Sequence, residues 1–124
     1  MGRIMYKSFI IGCGRIAGYS NDGSLNDFTH GSAYRENQDI ELVGCMDINP
    51  EKRQLFSEKF KCIAFDDFQD GISKTGSEIV SICTPDDTHH MVVKSLLEMD
   101  SNIRVVFLEK PACSTLDEMD HLIA

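Results

Sequence analysis

The sequence contains no long apolar run, and none of its apolar segments approaches the ~20 residues that a transmembrane helix needs. No signal peptide is visible either, so we expect a cytoplasmic protein that does not act at a membrane. Basic residues are scarce: 12 Lys and Arg stand against 20 Asp and Glu, for a net charge of -8. Because binding nucleic acid requires clustered Lys and Arg to neutralise phosphates, nucleic acid is excluded as a partner. A phosphorylated cofactor is compatible with this charge, since backbone N–H groups at a helix N-terminus can hold a pyrophosphate.

Metal-binding patterns are also missing. The closest pair of cysteines is 17 residues apart, which excludes the C-x-x-C pairs of zinc and redox sites. The adjacent His89 and His90 point about 100° apart on a helix and cannot easily share one ion. We therefore predict no metal site and expect reduced thiols without a catalytic role. The cysteines are Cys13, Cys45, Cys62, Cys83 and Cys113.

Short apolar runs alternate with helical segments along the whole chain. The runs predict strands at residues 8–11, 41–46, 63–65, 78–83 and 104–108. Helices are predicted at 50–60, at a short turn around Phe68, at 86–100 with Met91, Val92 and Leu96 facing inward, and after Ser114. Strands buried on both faces and joined by crossover helices indicate a doubly wound parallel α/β sheet between two helical layers. The right-handed crossover rule gives a Rossmann-type strand order of 3-2-1-4-5 within one domain of 124 residues.

A glycine motif of the form G-x-G-x-x-A follows the first predicted strand at residues 12–17. In a dinucleotide site, Gly12 would allow the tight turn, Gly14 would let the backbone approach a pyrophosphate, and Ala17 would permit close packing of helix and strand. The second strand ends at Asp47, whose carboxylate would accept hydrogen bonds from the adenosine ribose. Because that carboxylate repels a 2′-phosphate, NAD is favoured over NADP.

The spacing within this motif is unusual. Asp47 follows Gly12 by 35 residues, whereas the acid of such a site usually follows the glycines by about 20. The excess matches a polar stretch at residues 19–29. We therefore expect the first helix to begin at Arg15, break near Gly18 and resume near Ser32. The stretch would lie at the ligand-binding edge of the sheet, either as a solvated loop or as a lid that contacts a substrate or partner.

Two further strand ends are distinctive. The fourth predicted strand continues into SICTPDDTHH (81–90), and the fifth continues into FLEKPAC (107–113). Together with the glycine turn they resemble the N-terminal nucleotide-binding domain of the Gfo/Idh/MocA oxidoreductases, the glucose–fructose oxidoreductase and inositol dehydrogenase family. The similarity covers residues 6–124, and the combination of T-P-x-x-x-H after the fourth strand with E-K-P after the fifth is specific to that family.

The resemblance implies a set of cofactor-binding residues. They are Gly12, Cys13, Gly14, Arg15 and Ile16 at the pyrophosphate, Asp47 at the ribose, and Thr84, Pro85, His89, Glu109 and Lys110 toward the nicotinamide. Asp86 departs from the family, which usually has Asn there, so this contact is open. In the family the lysine of E-K-P reaches the reacting hydroxyl, which implies a catalytic role for Lys110. The chemistry agrees, because a cation beside that oxygen stabilises the alkoxide that develops as hydride leaves.

The resemblance implies the nucleotide-binding domain of an NAD-dependent oxidoreductase that acts on a sugar, sugar-nucleotide or polyol hydroxyl. Family members carry a second domain with the substrate pocket, which we expect to be absent from residues 1–124, so that this chain alone would be inactive. An uncovered sheet edge would then favour a homo-oligomer. Two alternatives stay open: a non-catalytic NAD-binding regulatory module, and a methyltransferase whose S-adenosylmethionine site also uses glycines after the first strand.

Overall fold

The computed structural model describes residues 5–14, 17 and 29–109, and these residues form an α/β sandwich. Five strands are present: β1 Tyr6–Ile11, β2 Ile40–Met46, β3 Ile63–Phe65, β4 Ile79–Ile82 and β5 Val105–Leu108. The four α-helices of the described residues are α1 His30–Glu36, α2 Pro50–Phe60, α3 Phe68–Thr75 and α4 His89–Glu98, and a 3₁₀ turn, Asp86–Thr88, precedes α4. In the described ranges no helix is long and apolar enough to cross a membrane.

The strands form one parallel sheet in the order β3-β2-β1-β4-β5, which confirms the predicted topology. The chain reverses its direction of progress across the sheet between β1 and β4, where Ile11 lies in register with Ile82. The carboxyl ends of both strands therefore open into the same crevice. This is the position at which doubly wound sheets bind their ligands.

Successive side chains along each strand point to opposite faces of the sheet, so the protein has two hydrophobic cores, one on each face. Ile10 and Cys45 pack with Phe56 and Phe60 beneath α1 and α2. On the other face, Phe9 and Ile11 pack with the buried residues of α3 and α4, including Ile72, Val92 and Leu96. The second half of β1, Phe9 to Ile11, is buried on both faces and entirely apolar, as expected for a central parallel strand.

Local sequence signals fix the ends of α2 and α3. The Asn49 side chain accepts hydrogen bonds from the N–H groups of Glu51 and Lys52, and Pro50 occupies the first turn, where it lacks only an N–H that has no helical partner. Gly76 ends α3 in a left-handed conformation with φ of 66°. The Asn49 cap places the start of α2 directly beside Asp47.

Some predicted boundaries were wrong. The turn expected around Phe68 is an eight-residue helix, and the helix expected from residue 86 begins with a 3₁₀ turn. Met91, predicted to face inward, is 62% exposed, whereas Val92 and Leu96 are buried as predicted. The first helix resumes at His30, two residues before the predicted position, with Thr29 as its cap. Its predicted beginning at Arg15 and the predicted last helix after Ser114 lie outside the described residues.

Candidate functional site

The glycine turn leaves β1 in a conformation that only glycine adopts readily. Gly12 has φ of 94°, and its N–H donates to the Met46 carbonyl at 2.7 Å. A Cβ on Gly12 would lie 2.7 Å from the backbone carbonyl carbon of Cys83, so that the turn packs directly against the end of β4. At Gly14, by contrast, an added Cβ would meet no atom of the described residues within 4 Å. The space in front of Gly14 is therefore open to a ligand.

Asp47 is bonded to the glycine turn itself. The N–H of Cys13 donates to Asp47 Oδ2 at 2.8 Å, and the N–H of Asn49 donates to Oδ1 at 2.8 Å. Arg53 reaches back from α2 and donates to the backbone carbonyl of Asp47 at 3.1 Å. Because each carboxylate oxygen can accept two hydrogen bonds, both oxygens keep a lone pair for a further donor. The carboxylate is thus held in a fixed orientation at the mouth of the crevice.

A cavity of about 480 Å³ occupies this crevice at the carboxyl ends of β1, β2 and β4. Its size falls within the ~300–1,000 Å³ of typical small-molecule sites. Its apolar wall comprises Ile11, Met46, Ile48, Phe68, Met91 and Val92. Its polar contributors are Asp47, Lys52, Thr84 and Thr88, beside the backbone of Gly12 and Gly14. An apolar slot for a flat base, next to a fixed carboxylate and an open glycine turn, fits an adenine dinucleotide.

The Thr84-Pro85 segment forms the β4 side of the cavity, and hydrogen bonds from His89 and Thr88 fix its position. The His89 ring is completely buried, and its Nε2 lies 2.9 Å from the Thr84 carbonyl, to which it donates. The Thr88 hydroxyl contacts both Thr84 Oγ1 and the Pro85 carbonyl at 2.6 Å. His89 is therefore placed to act on a ligand through Thr84, and its predicted direct contact with a cofactor stays a prediction.

Glu109 ends β5 and contacts His30 rather than the cavity. His30 Nε2 lies 2.5 Å from Glu109 Oε1, and the other ring nitrogen lies 2.8 Å from the Ser81 hydroxyl. The residues predicted from the sequence did not include His30, Ser81 or Tyr34, whose hydroxyl also contacts Ser81. A signal was present, because a serine within the buried apolar run of β4 needs a hydrogen-bonding partner. The predicted site residues Arg15, Ile16 and Lys110 lie outside the described residues.

The thiols of Cys13, Cys45 and Cys62 are buried together beneath α2. A hydrogen bond with the Cys13 thiol raises the pKa of Cys45, and one with Cys45 raises the pKa of Cys62, each assisted by burial. Burial and then the nearby Glu109 raise the pKa of Cys83 to about 12. Protonated thiols are poor nucleophiles and poor metal ligands. In the part of the chain that the structure describes, no three His, Cys, Asp or Glu side chains form a cluster able to hold a metal ion.

The strand order, the glycine turn and the acid at the end of β2 define the class of protein: a Rossmann domain of the dinucleotide-binding type. The chain belongs to the GFO_IDH_MocA family, an oxidoreductase family with an NAD-binding Rossmann fold, whose model matches residues 6–124. The resemblance inferred from the strand-end motifs is thereby confirmed. No curated protein sequence matches the chain.

Solved structures share the fold at low sequence identity. The WlbA dehydrogenase from Bordetella pertussis, in complex with NADH and UDP-GlcNAcA, gives a TM-score of 0.77 at 21% identity over 96% of this chain and 33% of its own. The scyllo-inositol dehydrogenase from Lactobacillus casei, with NAD(H) and scyllo-inositol, gives 0.73 at 20% identity over 94% and 31%. KijD10, a 3-ketoreductase from Actinomadura kijaniata in complex with NADP and TDP-benzene, gives 0.75 at 16% over 96% and 33%. The chain thus spans about a third of the length of these proteins.

Proposed function

We propose that this chain binds NAD across the carboxyl ends of its sheet and serves as the cofactor domain of an oxidoreductase acting on a sugar, sugar-nucleotide or polyol hydroxyl. The observation that carries the proposal is the cavity between Gly14 and Thr84, with Asp47 fixed at its mouth. Similar folds are found in proteins solved with NAD(H) and either an inositol or a nucleotide sugar, which supports the substrate class.

Each part of the crevice has a proposed role. The amides around Gly14 bind the diphosphate, and we propose that Arg15 and Ile16 contribute to its binding. Asp47 accepts hydrogen bonds from the ribose hydroxyls and disfavours a 2′-phosphate. The apolar wall of Met46, Phe68 and Val92 excludes water from the adenine. Thr84 and Pro85 lead toward the nicotinamide.

The proposed reaction is hydride transfer. Bound NAD would accept the hydride from the carbon that carries the reacting hydroxyl. As the hydride leaves, that hydroxyl would pass its proton to a base supplied by the second domain, and the ammonium of Lys110 would stabilise the alkoxide that develops. We further propose that a second domain completes the substrate pocket in this family's manner, and that the protein works as a homo-oligomer. In a protein that includes this second domain, Lys110→Ala should then lower turnover far more than it lowers NAD affinity.

The direct test is calorimetric titration of the chain with NAD, NADP and S-adenosylmethionine. We expect NAD to bind, NADP to bind more weakly because its 2′-phosphate meets Asp47, and S-adenosylmethionine not to bind. A crystal soaked with NAD should place the diphosphate in front of Gly14. Absence of binding by both NAD and NADP, or preferential binding of S-adenosylmethionine, would overturn the proposal.

A further inference from the structure

A chain of four polar side chains crosses from α1 through β4 to the end of β5. The Tyr34 hydroxyl lies 2.5 Å from Ser81 Oγ, Ser81 Oγ lies 2.8 Å from His30 Nδ1, and His30 Nε2 lies 2.5 Å from Glu109 Oε1. Ser81 is completely buried and Tyr34 is nearly so, whereas the Glu109 side chain keeps 34% of its surface exposed. None of the four residues lines the dinucleotide cavity. The role of these four side chains is therefore not direct contact with the adenine or the ribose.

With a singly protonated His30 ring, the hydrogen bonds run in one direction, from Tyr34 to Glu109. Burial raises the pKa of Tyr34 to about 12, so its hydroxyl stays protonated and can donate to Ser81. Ser81 has one hydrogen, which can then go to His30 Nδ1, while His30 Nε2–H donates to Glu109. The opposite ring tautomer would place a nitrogen lone pair against a carboxylate oxygen. A doubly protonated ring would donate from Nδ1 to the second lone pair of Ser81 Oγ, and its Nε2–H would still donate to Glu109.

Serine, histidine and a carboxylate in series are also the groups of an acyl-transfer triad. A nucleophilic role is excluded here because Ser81 has no exposed surface and its oxygen already accepts the Tyr34 hydrogen bond. A substrate carbonyl cannot reach it. These four hydrogen-bonded side chains instead hold the carboxylate of Glu109, which is the end of the series that reaches solvent.

Among the described strands, β5 pairs with β4 alone. Within the described sheet β5 is the edge strand, and Val105, Val106 and Phe107 are all exposed. Its last backbone contact, from Glu109 N–H to the Ile82 carbonyl, is 3.4 Å long. The short contact between Glu109 and His30 therefore ties this strand end to α1 and, through Ser81, to β4.

We propose that His30 is a positioning residue for the strand end that continues into Lys110. By holding the Glu109 carboxylate, His30 fixes the end of β5 against α1 and β4. This role rests on the proposed function, because only that function requires Lys110 to be placed against the nicotinamide and the reacting hydroxyl. It also gives α1, which follows the polar stretch, a direct connection to the E-K-P segment.

The test uses nitrogen-15 NMR of the whole chain. We expect the His30 ring in the wild type to carry its proton on Nε2, with the His30 signals assigned by their loss in His30→Ala. In that variant the amides of 107–109 should exchange with solvent about tenfold faster, because local opening of this edge becomes easier. The Lys110 amide signal should shift. His30→Gln, whose amide N–H can still reach Glu109, should restore slow exchange and the Lys110 signal. Arg35→Ala, an exposed change on the same helix, is the control.

Two results would overturn the inference: a proton on Nδ1 with Nε2 bare, or unchanged exchange at 107–109 in His30→Ala. If His30→Ala fails to fold, two measurements remain: the position of the ring proton in the wild type, and the exchange rates in His30→Gln. Either of them decides whether the inference stands. NAD titration of the same samples separates this inference from the proposed function. We expect NAD affinity to stay within about threefold in His30→Ala, since binding at the cavity does not involve His30. A wild type that fails to bind NAD would refute the proposed function and leave the exchange results standing.

Discussion

The carboxylate of Asp47 and the backbone N–H of Cys13 are joined by a 2.8 Å hydrogen bond between residues 34 positions apart in the sequence. The acid at the end of β2 therefore orients the glycine turn at the end of β1. This contact couples the shape of the proposed diphosphate site to the residue that is proposed to bind the ribose.

Asp47→Ala should weaken NAD binding by about 10- to 100-fold, because it removes both the ribose acceptor and the bond to the turn. The preference for NAD over NADP should narrow, since the repelling charge is lost. Calorimetric titration with both nucleotides measures the two effects. Glu36→Gln, which removes an exposed acidic charge at the end of α1, should leave the affinities and their ratio unchanged. A preserved ratio in Asp47→Ala would refute the ribose role.

Gly12→Ala and Gly14→Ala form a matched pair with opposite expected effects. At Gly12 the new Cβ would meet the Cys83 carbonyl at 2.7 Å with φ at 94°, so we expect a loss of about 2–3 kcal/mol in the free energy of unfolding. At Gly14 the Cβ has free space, so stability should change by less than ~0.5 kcal/mol while NAD affinity falls. Urea unfolding and NAD titration distinguish them. Equal effects of both changes on binding, with neither affecting stability, would contradict this assignment.

His89→Leu should destabilise the fold by about 1–3 kcal/mol, because it leaves the Thr84 carbonyl without the buried donor that lies 2.9 Å away. NAD affinity should also fall as the Thr84-Pro85 wall loosens. His90→Leu, at the adjacent and less buried position, is the control and should have a smaller effect on both quantities. Thermal unfolding followed by NAD titration provides the comparison. Similar losses at the two histidines would argue against a specific role for His89.

The protein should lose stability at alkaline pH. Tyr34 and Cys83 each have a pKa raised to about 12 in the folded protein, above their ordinary values of 10.0 and 9.0. The unfolded chain therefore releases these protons first, so the stabilising contribution is complete below about pH 9 and is lost as pH rises toward 12. Each group adds a slope of at most about 1.4 kcal/mol per pH unit.

Urea unfolding at pH 7, 9 and 10.5 tests this dependence. Tyr34→Phe should flatten the slope above pH 10 but leave the part between pH 9 and 10 that the thiols contribute. A free energy of unfolding that rises with pH across this range would contradict the buried, protonated state of both groups.

The sheet order was predictable because it depends on local patterns. The mainly apolar runs that form β1 and β4 require burial on both faces, and the intervening helices then allow few connections. Asn49 and Pro50 likewise fixed the start of α2 from neighbouring residues alone. The predicted length of α3 was too short, because glycine has a poor helix propensity and Gly71 lies within this helix. Gly71 packs against the Phe9 side chain, and this contact between distant residues compensates for the poor propensity.

The residues themselves, read along the chain, determined the Rossmann class, the glycine turn and the acid that would face a ribose, because each is encoded in a short segment with its own physical requirement. The tertiary structure decided what those groups touch. Asp47 bonds to the turn it serves, His89 supports Thr84 from within the core, and Glu109 meets His30 across 79 positions of sequence. Such contacts exist only once parallel strands bring their carboxyl ends to one edge, and no spacing within a single segment specifies them.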